Sequence, residues 1–310
     1  MALQWFPGHM NKARREVKEV MPQMDVIIEV LDARVPYTSE NPMVAQLRRD
    51  KPVIKIFNKA DLADPELTQQ WMAYLEQQRG VKTLALDTDK ASHVHKIVDL
   101  CKKLVPNKVG NDKQIKAMIM GIPNVGKSTL INTLAKRIVA KTGNEPAVTK
   151  AQQRIKLEEG IMLYDTPGML WPKLETEHYG FRLAAIAAIR DTVVNYEELG
   201  SYVSEYLLIA YPERLKTRFK LEQLPETDWE FMEQAGKKRG CMKSGGRVDL
   251  ERFGAILVNE LRDGSLGGIT LETPAMMEQE EAELARKREL EAAEKAAKEA
   301  EKANRRNRQR

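Results

Sequence analysis

Short apolar runs alternate with longer amphipathic stretches through the first half of the chain. Residues 25–31 (DVIIEVL) and 52–57 (PVIKIF) each read as a strand buried on both faces, and 81–86 and 115–120 read the same way. Between them, 65–78 and 93–105 are amphipathic and helix-like. Strands alternating with helices predict an α/β fold, a mostly parallel, doubly wound sheet covered on both faces. The polar stretch 106–113 reads as a connecting loop, and 154–164 as a further pair of strands. From about residue 175 the texture becomes helical, at 179–189, 196–210 and 250–261. The expected organisation is an α/β domain over 1–174, a small helical domain over 175–273, and a tail over 274–310. The tail is nearly all Glu, Ala, Lys and Arg. It has helix formers but too few apolar residues for a core, which predicts a solvated, partly disordered helix.

Composition narrows the class. The chain has 310 residues, 42% of them hydrophobic, which suits a folded protein of one or two domains. A net charge of +5 and a pI of about 9.0 fit a polyanionic partner without naming one. The two cysteines, Cys101 and Cys241, have neither zinc-ligand nor disulfide-framework spacing. The first residues, MALQWFPGHMNKARR, contain no apolar signal core. No run reaches the roughly 18 apolar residues of a membrane helix. The expectation is a soluble, cytoplasmic protein with no membrane partner.

Three segments carry chemistry. GIPNVGKS, from Gly121 to Ser128, follows a predicted strand and opens a predicted helix, the context of a phosphate-binding loop. Its glycines let backbone N–H groups turn inward around phosphates, so Asn124, Val125, Gly126, Lys127, Ser128 and Thr129 are candidate nucleotide contacts. Lys127 places a positive charge at the β- and γ-phosphates, and Ser128 offers a hydroxyl to Mg²⁺. DTPG follows about forty residues later. Asp165 is a candidate for the Mg²⁺ shell, and the Gly168 N–H could sense the γ-phosphate. NKAD (Asn58, Lys59, Ala60, Asp61) ends the strand PVIKIF. A carboxylate there can accept both N1–H and N2–H₂ of guanine, a donor pair that adenine lacks. Thr149, between the phosphate loop and DTPG, is by position the candidate second hydroxyl on Mg²⁺.

The order of these segments is unusual. In Ras-like GTPases the phosphate loop comes first and NKxD late, whereas here NKAD precedes the phosphate loop by about sixty residues. The site can still assemble, because it collects strand ends rather than chain order. DTPG then leads directly into the helical region, so nucleotide state is expected to reposition that region. Ras-like enzymes carry Gln after DxxG to orient water. Met169, Leu170 and Trp171 follow it here, and none can position water. His9 is one candidate for that role, with His93 and His95 as competitors.

The permuted order, WFPGHM, DVIIEVLDARVP and GCMKSGGRVD together resemble the ribosome biogenesis GTPase A family, the RbgA/YlqF type, over about residues 1–273. The resemblance implies a circularly permuted P-loop GTPase domain followed by a helical RNA-binding module, acting in maturation of the large ribosomal subunit. It implies GTP and GDP as ligands, rRNA and ribosomal proteins as partners, and a hydrophobic residue in place of Gln, which Met169 and Leu170 match. It makes His9 the proposed catalytic residue and links Asn124 to a stimulating K⁺. One departure concerns the second guanine loop, which usually reads Ser-Ala or Asn-Ser. Asp87-Thr88-Asp89 stands there, with Asp87 and Thr88 as the candidate contacts.

A basic segment in the helical region, with Lys237, Lys238, Arg239, Lys243 and Arg247, suits RNA phosphates, and its glycines suggest a mobile loop. Lys216, Arg218 and Lys220 surround Phe219 in a second basic stretch, and the terminal RRNRQR adds a third. The leading reading is a GTP hydrolase activated on an immature large subunit. A nucleotide-gated RNA-binding scaffold is the alternative. An ATP-using P-loop enzyme is disfavoured by Asn58, Lys59 and Asp61.

Overall fold

The computed structural model describes residues 8–87, 91–109, 113–140, 153–157, 160–170 and 176–308. The apolar runs form β1 (Val26–Asp32), β2 (Val53–Asn58), β3 (Val81–Ala85) and β4 (Ile115–Gly121). β5 (Gln153–Lys156) and β6 (Ile161–Asp165) pair as an antiparallel hairpin. The sheet order is β3-β2-β1-β4-β6-β5, and every pairing except β5–β6 is parallel. All residues of β1 and β2 are buried, as expected of central parallel strands, while the edge strand β5 buries only Ile155.

Helices α1 (Gly8–Val20), α2 (Pro42–Leu47), α3 (Pro65–Glu76), α4 (Ala91–Leu104) and α5 (Lys127–Ala135) belong to this half. Then follow α6 (Glu177–Ala185), α7 (Tyr196–Ala210), α8 (Pro212–Phe219), α9 (Asp228–Lys238), α10 (Leu250–Arg262) and α11 (Pro274–Arg308). The helix expected over 179–189 stops at Ala185 because Ala187 adopts a left-handed φ of 61°. The pattern did not announce α2, α8 and α9. Each is short and started locally: Pro42 and Pro212 occupy first-turn positions, and the Thr227 hydroxyl accepts from the Glu230 N–H.

Val26, Ile28 and Val30 point from β1 into one apolar cluster, and Ile27 points into another on the opposite face. The first cluster runs without a break through α4 and α5 into Leu199, Val203, Phe253 and Leu257 of the helical region. Residues Met1–Leu271 accordingly form one compact unit, which passes through the change of texture near residue 174, and Glu272–Arg310 form another. Within the first unit α7 and α10 pack glycine on glycine. A Cβ on Gly254 would lie 2.0 Å from the Tyr196 carbonyl, and one on Gly200 would lie 2.7 Å from the Gly254 Cα. The end of this unit straps back onto the segments that follow β1 and β2. Ile269 N–H donates to Leu62 O at 3.0 Å, Leu271 N–H donates to Arg34 O at 2.7 Å, and Asp64 N–H donates to the Thr270 hydroxyl at 3.1 Å.

A buried charge cluster sits mid-sheet. Glu29 and Lys55 are register partners on β1 and β2, 3.5 Å apart, and the Lys55 ammonium also pairs with Glu40. Two carboxylates thus share one cation. Burial pushes the Glu29 carboxyl up and Glu40 adds to this; Lys55 only partly offsets them, so it rises to about 7. The folded state therefore holds a proton that the unfolded chain releases near pH 4.5. The resulting stability is present below that pH and is lost as pH rises toward 7. Glu29→Gln should raise unfolding stability by roughly 1–2 kcal/mol at pH 8 and by little at pH 4.5, as read by urea denaturation at both pH values.

Candidate functional site

The chemistry-bearing segments all lie at the carboxyl ends of parallel strands. DTPG leaves β6, NKAD leaves β2, and GIPNVGKS leaves β4. β1 and β4 are neighbours from which the two halves of the sheet run in opposite directions, the switch point where open α/β sheets bind ligands.

The phosphate loop is shaped by its backbone. Gly121 lies under the Val30 carbonyl, 2.8 Å from where a Cβ would stand. Asn124 and Gly126 have φ of 58° and 89°, and Gly126 caps α5. The first N–H groups of α5 have no intrahelical acceptors, which suits an anion. Val125 is buried, Ser128 half-buried and Thr129 exposed. Lys127, 5% exposed, donates to Asp165 Oδ1 in an ion pair. Burial pushes Lys127 down and Asp165 up, and the pairing offsets part of each shift. Asp165 Oδ2 is buried without a hydrogen-bond partner among the described residues. A serine hydroxyl at the start of α5 and an orphaned carboxylate oxygen at the end of β6 are donor types that fit Mg²⁺.

NKAD is bolted to this loop. Asn58 Nδ2 donates to Val125 O at 2.6 Å, and the Lys59 ammonium donates to Asn124 O at 2.8 Å. A Cβ at position 126 would lie 2.2 Å from Asn58 Nδ2, so only glycine fits there. Lys59 itself has a φ of 57°. Ala60 N–H donates to Leu86 O at 3.1 Å, which ties NKAD to the residue before Asp87. Asp61 is exposed and Asp87 half-buried. On the other side, Thr166 donates to Ile119 O, Met169 N–H donates to Gly121 O, and a Cβ on Gly168 would meet Pro123 at 3.2 Å. DTPG is thereby stapled against the phosphate loop.

Met169 and Leu170 are 3% and 5% exposed and belong to the apolar clusters on opposite faces of the sheet. Thr88, Thr149 and the side chains of His9 and His93 lie outside the described residues, as does Trp171. His95 lies near the start of α4.

The basic segment is less open than its glycines suggest. Lys237 and Lys238 end α9, Arg239 caps it, and the following turn closes through a Met242–Val248 bridge. Lys243 N–H donates to Arg247 O at 2.8 Å, and Asp249 N–H donates to Cys241 O at 2.8 Å. Gly240, Gly245 and Gly246 have positive φ and form the turn. Lys237, Lys238, Lys243 and Arg247 are exposed, but Arg239 and Arg218 both pair with Glu260. Asp249 lies 3.4 Å from the Lys243 ammonium. No local pattern announces Glu260, because its partners are about twenty and forty residues away. Cys101 and Cys241 are free and buried.

A phosphate loop, a guanine-type loop and a DxxG turn at the switch point of a mostly parallel sheet define a circularly permuted P-loop GTPase domain. A family model described as "50S ribosome-binding GTPase" matches residues 116–210. The Ribosome biogenesis GTPase A of Bacillus cereus is 44% identical over 88% of this chain and 95% of its own length. The GDP-bound structure of TM YlqF is 25% identical, with a TM-score of 0.59 over 84% of this chain and 100% of that one. GNP-bound YlqF from T. maritima is 28% identical, with a TM-score of 0.57 over 85% and 98%. The chain belongs to the ribosome biogenesis GTPase A family, and it is a GTP hydrolase.

Proposed function

We propose that the chain hydrolyses GTP while bound to a maturing large ribosomal subunit in the cytoplasm, and that the subunit completes its catalytic site. The observation that carries this is the placement of Met169 and Leu170 in apolar clusters. The turn that ordinarily supplies a water-orienting side chain supplies none. The missing group then comes from elsewhere, either His9 of this chain or the bound particle. Lys127 and the first amides of α5 would hold the phosphates. Asn58, Lys59, Asp61 and the Asp87-Thr88 turn would hold the base. Ser128, Asp165 and Thr149 would hold Mg²⁺, which supplies neutralisation of the phosphate charge. Asn124 is the residue for a K⁺ ion.

The helical region, 175–273, would face rRNA through Lys237, Lys238, Lys243 and Arg247, with Lys216 and Lys220 nearby in sequence. Arg239 and Arg218 would contribute less, since Glu260 holds both. The apolar cluster shared with the sheet favours a small sliding of helices on nucleotide exchange over a wide hinge.

The test is GTP turnover in potassium buffer with and without purified large subunits, mature and immature. At least about tenfold stimulation is expected, and it should fall steeply with added salt as phosphate contacts are screened. An unstimulated rate with both particles, despite demonstrated GTP binding, would favour a nucleotide-gated scaffold.

A further inference from the structure

Asp32 ends β1 beside Asn58, its register partner on β2. It belongs to none of the nucleotide-site segments, yet it is fully buried and answers two cations. Arg34, 1% exposed, grips it with both arms, Nε to Oδ1 and NH2 to Oδ2, each at 2.8 Å. The Lys59 ammonium lies 3.2 Å from the same Oδ2. Burial alone would raise the Asp32 carboxyl, but Arg34 and Lys59 outweigh it and hold the group ionised far below the usual carboxylate range. Arg34 is anchored in turn: its NH1 donates to Arg262 O at 3.3 Å, and its own carbonyl accepts from Leu271 N–H.

Buried ion pairs are seldom retained for stability alone, because desolvation offsets much of the attraction. The geometry gives this one a task. Lys59 belongs to the guanine loop, but its ammonium bridges to the main chain of the phosphate loop at Asn124. It therefore sets the spacing between the part that would take the base and the part that would take the phosphates. A free lysine ammonium samples many positions. One fixed between Asn124 O and Asp32 Oδ2 does not.

We propose that Asp32 is a positioning residue of the nucleotide site, which holds Lys59 so that the base and phosphate halves keep the spacing of a guanine nucleotide. Arg34 fixes Asp32 in turn. The inference rests on the reading of 58–61 and 121–128 as one GTP site. Asp32 touches no nucleotide, so its loss should weaken binding and leave the chemical step intact.

The experiment is a double-mutant cycle on GDP affinity and on steady-state GTP turnover, in the full chain. Asp32→Asn should bind GDP about tenfold more weakly and raise KM by a similar factor, with kcat within about twofold. Because Asp32→Asn leaves the buried Arg34 without its paired carboxylate, the neutral pair Asp32→Asn/Arg34→Met is measured beside it; it should fold and show the same loss. In a Lys59→Met background, removing Asp32 should cost nothing further. A merely structural role predicts otherwise: kcat and the unfolding midpoint fall together, and the loss persists without Lys59. That result, or wild-type GDP affinity in the neutral pair, would overturn the proposal. A wild-type chain that fails to bind GDP would overturn the site reading itself, and the proposal with it.

Discussion

Lys127→Ala should lower GTP turnover by about 10²–10³-fold, the scale of removing one charged donor aimed at developing charge in a site closed to water. The ammonium is nearly inaccessible to solvent, and Lys59 is committed to Asn124 and Asp32 instead. Bulk salt cannot substitute for it. The substitution should also have a cost unrelated to catalysis. It leaves Asp165, buried and already short of one partner, without its cation. Breaking a buried pair on one side costs about 3–5 kcal/mol, whereas removing both charges is often near neutral. Thermal unfolding without nucleotide separates the two effects. Lys127→Ala should be clearly destabilised, Lys127→Met/Asp165→Asn should recover most of that stability, and neither should recover turnover. Recovery of activity in the double variant would mean that Lys127 serves the fold and not the phosphates.

The second large effect concerns the choice of base. Asp61→Asn should weaken GTP binding by about 10²–10⁴-fold, because two charge-assisted hydrogen bonds of about 1.5–3 kcal/mol each are disturbed. The same change should improve binding of xanthosine triphosphate. Xanthine carries a carbonyl where guanine carries an amino group, and an amide can donate to that carbonyl while accepting from N1–H. Competition of GTP, XTP and ATP for the variant, read by displacement of a fluorescent nucleotide, checks the exchange of preference. Unchanged selectivity for GTP would remove 58–61 from the base site.

The sheet was legible because its strands are continuous apolar runs, and full burial on both faces enforces that pattern directly. The observed bounds of β1 and β2 lie within a residue of the expected ones. The phosphate loop and DTPG were legible because their chemistry is local in sequence. Where several turns compete within a few residues, periodicity fails: α8 and α9 depend on a proline and a capping threonine, and Ala187 halts α6 through backbone conformation alone. The site's internal bracing was illegible for a different reason. Lys59 meets Asn124 across sixty-five positions, and Arg34 meets Arg262 across more than two hundred. Such pairings follow from the order of strands in the sheet, which no local window contains. Gly126 shows the same limit. A phosphate-loop pattern asks for glycine there, but only the structure shows that the Asn58 amide occupies the space a side chain would need.

The strap formed by Ile269, Thr270 and Leu271 also bears on how the protein is made. Leu62, Arg34 and Asp64, which it fastens, belong to the first quarter of the chain, whereas the strap lies in the last sixth of the residues. Domains assemble as synthesis proceeds from the N-terminus. The guanine loop of a nascent chain must therefore wait, its strands already translated, until nearly the whole polypeptide has emerged. Permutation has placed NKAD early and the residues that fasten its flank late, so this end of the sheet is braced only as the chain nears completion.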